Sequence, residues 1–203
     1  ENSMKFFRES VTLDAKNKKA ADGLSDALAA KGNDLLIKDQ SSTAKAFFLE
    51  GLKFNANNAA ALFGLGEVYN DLDQADLAIA SYEKALANDK ALSEIYLPLG
   101  VLYFQKGEIA KADELLTKAL AIAPDMAETQ LFLGMIRLSQ NRNPEALAAF
   151  QRAKQLDPNN AEVFFNSGEA LMRTGRTNEA IADYQKAVSL KPKYLEAWTS
   201  LGE

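Results

Sequence analysis

The 203-residue sequence contains neither cysteine nor histidine. That double absence removes thiol nucleophiles, imidazole acid–base catalysis, disulfides and the usual zinc ligand sets together. No apolar run approaches the ~20 residues needed to cross a bilayer, and the first residues lack the apolar core of a signal peptide. Charge of either sign is not in excess: 23 basic and 28 acidic residues leave a net −5. Such a chain has no general attraction for phosphate backbones or anionic lipid. Without thiols it suits a reducing or an oxidising compartment equally, so composition assigns neither. What is present, 47% apolar and 25% charged residues, describes a folded and well-packed chain.

Glycine is scarce as well, yet it is placed by rule. Gly32, Gly66, Gly100, Gly134, Gly168 and Gly202 stand 34 residues apart and make up six of the eleven glycines. Ala44, Ala78, Ala112, Ala146 and Ala180 keep the same step, as do the larger Phe48, Tyr82, Leu116, Phe150 and Tyr184. Pro124, Pro158 and Pro192 close three successive periods. Within one period, Tyr96, Leu99, Gly100 and Tyr103 form one apolar stripe, and Ala112, Leu116, Ala119 and Leu120 form another beyond Gly107. These spacings predict a helix, a turn and a helix. The small residues let two helix backbones approach where a larger side chain would clash. Asn143 and Thr177 are the expected caps of second helices, with Pro144 at a first helical position.

A 34-residue period carrying Leu-Gly, an aromatic, Ala, an aromatic, Ala and Pro resembles the tetratricopeptide repeat, most closely over residues 93–126. The resemblance implies an all-α fold, a right-handed α-solenoid superhelix of antiparallel helix pairs. Five repeats are expected at 25–58, 59–92, 93–126, 127–160 and 161–194, and residues 195–203 begin another with Trp198, Leu201 and Gly202. Gln130, Arg137, Ser167 and Lys31 depart from the pattern. Residues 1–17 align with a second helix, Phe7 falling opposite Phe150, so they are expected to end a preceding, truncated repeat. Residues 18–24 are an insert of about two helical turns that extends the next helix. A cut through repeats at both ends points to a segment of a longer array. Met4, Phe7 and Val11 at one end and Trp198 and Leu201 at the other suggest weak head-to-tail self-association, a heterologous contact.

In such a stack the resemblance implies that repeat positions 2, 5, 9, 12 and 13 face the concave side. Read there, the chain presents Phe63, Leu97, Val101, Phe104, Leu131, Met135, Leu138, Phe165 and Met172, an apolar wall suited to a hydrophobic partner segment. The competing reading is that these side chains pack on neighbouring helices. Position 2 is acidic in Glu94, Glu128, Glu162 and Glu196, which either rim the groove and favour a basic flank on the partner or complement the helix dipole. Pro98 is expected past the free first turn of its helix, where it would kink it.

These features point to a non-catalytic scaffold that binds a peptide or helix of a partner protein, needing no cofactor or metal. The alternative is a regulatory or oligomerisation module of a larger protein whose catalytic domain lies elsewhere. Its Lys, Asp and Glu are spread as solvated helix faces, not paired as acid and base. A helical-repeat RNA binder would need cations along the groove, but position 13 offers Ile37, Asp71, Gln105, Ser139 and Arg173. A clamp for a carboxylate tail would need Lys, Arg and Asn where the chain has Ala29, Gly64, Glu94 and Pro98; only Asn33 matches.

Overall fold

In the computed structural model, which describes residues 2–202, every regular element is a helix. The chain divides into two compact units, the first ending at Ile95 and the second beginning at Tyr96. The first holds α1 (Asn2–Leu13), α2 (Lys18–Leu36), α3 (Ser41–Phe54), α4 (Ala59–Asp71) and α5 (Ala75–Asn88), then a 3-10 turn at Ser93–Ile95. There α2 pairs with α3 and α4 with α5, while α3 packs on α4 and α1 on α2. The second unit holds α6 (Tyr96–Gln105), α7 (Ile109–Ile122), α8 (Ala127–Ser139), α9 (Asn143–Leu156), α10 (Ala161–Arg173), α11 (Thr177–Leu190) and α12 (Leu195–Gly202). Its pairs are α6 with α7, α8 with α9 and α10 with α11, and each second helix also packs on the next first helix. The division between the units falls inside the expected repeat 93–126.

The two strongest periodic series meet in space. A Cβ at Gly32, Gly66, Gly134 or Gly168 would lie under 3.0 Å from ring carbons of Phe48, Tyr82, Phe150 or Tyr184 respectively, and one at Gly100 would meet Leu116. Those five large side chains are all buried. Each glycine is thus the floor on which the large residue of its partner helix rests, and no side chain of any size fits there. Phe48 is shared, because its ring also lies over Gly64 of the following pair.

Helix α2 carries two registers at once. Its 19 residues compare with 13 in α4. At its start, Asn17 accepts from Ala20 N and Gly23 receives the Phe7 ring, as Asn58 accepts from Ala61 N and Gly64 receives Phe48, 41 positions further on. By its end, Gly32 keeps the 34-residue step to Gly66. The difference is seven residues, two helical turns, which returns the same face to the same side.

Each pair turns on one residue in the left-handed region: Asp39, Asp73, Gly107, Asn141 and Gly175, with φ between 54° and 76°. The two amides that follow the helix close it: Asp39 N donates to Leu36 O and Gln40 N to Leu35 O, and the pattern recurs at Asp73, Gly107, Asn141 and Gly175. This is the Schellman closure, and Asp, Asn and Gly are the residues that reach the conformation at low cost. The residue after the turn is also the N-cap of the second helix. Asn143 and Thr177 therefore fall one position inside their helices, and neither caps. The asparagines that do cap are Asn17, Asn58 and Asn160, all before first helices. Pro98 is likewise resolved: the chain takes a 3-10 turn before α6 starts at Tyr96, so Pro98 is its third residue, where no amide donor is needed.

Gly134→Val is expected to cost roughly 2 kcal/mol by overpacking against Phe150. Gly202→Ala, with no atom within 4 Å of its Cβ, leaves stability unchanged or slightly raised. Urea unfolding of both variants checks the contrast.

Candidate functional site

The nine apolar side chains expected on the concave face do not share one fate. In the first unit Phe63, on α4, is half-buried with its ring 6.0 Å from that of Tyr82. In the second unit Leu97, Val101 and Phe104 on α6 are half-buried, and Phe104 meets Phe132 edge-on at 5.8 Å. Met135 on α8 and Phe165 on α10 are half-buried too, whereas Met172 is 46% exposed. Leu131 and Leu138 are different: at 3% and 7% exposure they belong to the core with Ala146, Phe150, Val163 and Ala170. Their helix, α8, is flanked by both α6 and α10, so side chains at the same repeat positions that stay open elsewhere are covered there. Arg173 Nη1 also donates to Leu138 O at 3.1 Å, closing that end of α8. Phe165 packs against Tyr184 and Tyr194, at 6.0 and 5.0 Å, which leaves only part of its ring open.

Glu128, Glu162 and Glu196 occupy the first turns of α8, α10 and α12, and Glu94 the 3-10 turn. All four are exposed, and among the described residues none forms an ion pair. Their position at helix starts is the one in which a carboxylate complements the helix dipole.

The polar groups that do make defined contacts on these helices lie outside the expected apolar wall and acidic row. Tyr82 donates its hydroxyl to Glu67 Oε1, and Tyr184 does so to Glu169 Oε1 at 2.7 Å. Ser200 donates to the same Glu169 oxygen at 3.3 Å. Burial lifts the Glu67 carboxyl above its ordinary range; the Tyr82 hydrogen bond opposes the shift and the Asp71 charge adds to it. Burial first, then the bond to Glu67, drives the Tyr82 hydroxyl far above its usual value. Tyr194 is pushed up to about 12, again mainly by burial.

Two departures from the repeat pattern become links between helices. Arg137 pairs with Asp113 at 2.6 Å, joining α8 to α7. Ser167 accepts from Lys154 Nζ at 2.8 Å, and Lys154 also binds Asp183 and lies 5.0 Å from the Phe164 ring centre. Lys154, on α9, thus ties α10 and α11 together through Ser167 and Asp183. The hollow beside it, about 250 Å³, is lined by Gln151, Arg176 and Glu179 as well, all exposed at the surface. Among the described residues, no group of three metal-ligating side chains is arranged to hold an ion.

Paired helices on a glycine and aromatic floor define a protein of the α-helical repeat class. Family models of the tetratricopeptide repeat match residues 59–91, 97–161 and 133–194, and the chain belongs to that family. Helices α2 and α3 lie outside the matched residues. No match was found among curated proteins. Among solved structures the chain is similar to YrrB, a TPR protein with an unusual peptide-binding site, at 21% identity over 97% of this chain and 98% of YrrB, with a TM-score of 0.77. It is similar to MamA at 25% identity over 81% of this chain and 96% of MamA, with a TM-score of 0.68. The 41-end form of MamA from Desulfovibrio magneticus RS-1 is 18% identical over 84% and 96%, with a TM-score of 0.72. These likenesses carry the fold.

The raised Glu67 carboxyl makes a signed prediction. Below about pH 4 the folded and unfolded carboxyls are both protonated, and Glu67 costs nothing. As pH rises through the raised folded value, a buried carboxylate must form and the folded state loses ground. Glu67→Gln, still able to accept from Tyr82, is expected to stabilise the protein near neutral pH, with the gain vanishing in acid. Chemical denaturation at both pH values checks it.

Proposed function

We propose that this chain is a non-catalytic scaffold, holding an apolar segment of a partner protein, extended or helical, on the face built by α6, α8 and α10. The observation that carries this reading is that Leu97, Val101, Phe104, Met135, Phe165 and Met172 stay partly open although the unit has a filled core beneath them. Partly open rings and thioethers on rigid helices are adaptable apolar anchors, and a stacked array holds them without an ordering cost at binding. YrrB, similar over nearly its whole length, is a TPR protein with a peptide-binding site. No described helix is long and apolar enough to cross a membrane, and the face carries no row of cations for nucleic acid. The exposed first-turn glutamates bias the partner's flanks toward basic residues.

A second reading, self-association within a larger assembly, is favoured by other side chains. Phe6 and Leu13 on α1 are 68% and 88% exposed, and Leu195 and Trp198 on α12 are 75% and 53% exposed. Sedimentation across a hundredfold concentration range is expected to show growth in mass that Trp198→Lys abolishes; a constant monomer mass disposes of the idea.

The scaffold reading is tested by affinity capture with the wild type and with Leu97→Glu, Met172→Glu, which spares the buried Leu131 and Leu138. Circular dichroism first establishes that the variant folds. Loss of a specific partner is expected; an unchanged partner set rejects this face.

A further inference from the structure

One three-residue arrangement is built twice. Phe63, Glu67 and Tyr82 in the first unit correspond, three periods on, to Phe165, Glu169 and Tyr184 in the second. The ring centres are 6.0 Å apart in both, at 40° and 42°, and in both the tyrosine hydroxyl donates to Oε1 of the glutamate. The other repeats carry neither Tyr nor Glu at these two positions: Asn33 stands opposite Phe48, Val101 opposite Leu116 and Met135 opposite Phe150. A buried tyrosine hydroxyl needs an acceptor, but Gln would serve without a charge. The chain uses a carboxylate both times, and among the described residues no Lys or Arg forms an ion pair with either one. In the second unit the same Glu169 oxygen also accepts from Ser200 at 3.3 Å. Glu169 lies one turn from Phe165 and one from Met172 on the same stripe of α10, so its fixed charge sits between two apolar side chains.

We infer that Glu169 receives a lysine or arginine side chain of the bound partner, whose methylene stem lies along Phe165, and that Glu67 in the first unit is a separate seat of the same kind beside Phe63. This rests on the scaffold reading and narrows its partner to a segment that alternates apolar residues with a cation. The tyrosine holds the carboxylate in place before binding, so the ion pair forms without freezing a loose side chain. The ring adds a face for the cation and the stem. These two internal carboxylates are separate from the solvated first-turn row, which acts on the flanks of the partner segment.

The test is selection of a random twelve-residue display library on the whole chain and on Glu67→Gln, Glu169→Gln, in which Gln keeps the tyrosine bond and circular dichroism verifies folding. The wild type is expected to select apolar peptides with Lys or Arg at a fixed offset, and the variant to select apolar peptides without that cation. A selected peptide and its norleucine counterpart should then differ about tenfold in affinity for the wild type and not at all for the variant. Apolar peptides without a cation from the wild type, or the same cation enriched by the variant, overturn the inference and leave the scaffold reading standing. Failure to enrich any apolar peptide overturns both.

Discussion

The contact between a glycine on each first helix and a large ring or leucine on its partner sets the spacing on which everything else depends. With the glycine floor in place the two backbones come close enough to bury Phe48, Tyr82, Leu116, Phe150 and Tyr184 completely, and the alanines beside them fill what is left. Burying rings of this size supplies most of the driving force available to a short helix pair. No single pair could hold itself, since isolated helices of this length are marginal in water. Stacking is therefore a requirement of the fold.

The choice of large residue at that contact then decides which residue can face it from the first helix. Where it is Phe or Leu, the facing position is free to be Asn, Val or Met; where it is Tyr, the hydroxyl must be answered, and Glu67 and Glu169 answer it. A packing decision in the core thus writes charge onto the surface. The polar departures elsewhere follow a similar logic. Arg137 and Ser167 stand where apolar residues are expected, and each meets a charged residue of another helix, Asp113 and Lys154 respectively.

How much of this was legible depends on whether a feature is local. The glycine, alanine and large-residue series stand at a fixed step, and their step alone specified helix pairs in contact. Among the turn residues only Gly107 was read as one, and the cap was assigned one residue too late because a Schellman turn makes one residue serve both helices. Pro98 was misjudged for a related reason: a helix start can retreat by a turn to accommodate a proline. Leu131 and Leu138 show the deeper limit. They share repeat positions with Phe165 and Met172, and only their packing with Phe150, Val163 and Ala170 in one core cluster shows that they are covered. The Tyr and Glu pairs occur together in the sequence, yet that co-occurrence has no meaning until positions fifteen residues apart are known to touch.

The sharing of Phe48 between Gly32 and Gly64 has a mechanical side. A ring seated on two successive helices acts as a rivet through two layers, and neither layer can be peeled away without lifting it out of both. Force applied along the stack would meet no soft seam between α2 and α4. A pull that parts these helices must strip a whole aromatic side chain from its seat in one step, so this part of the chain should yield abruptly, as a block.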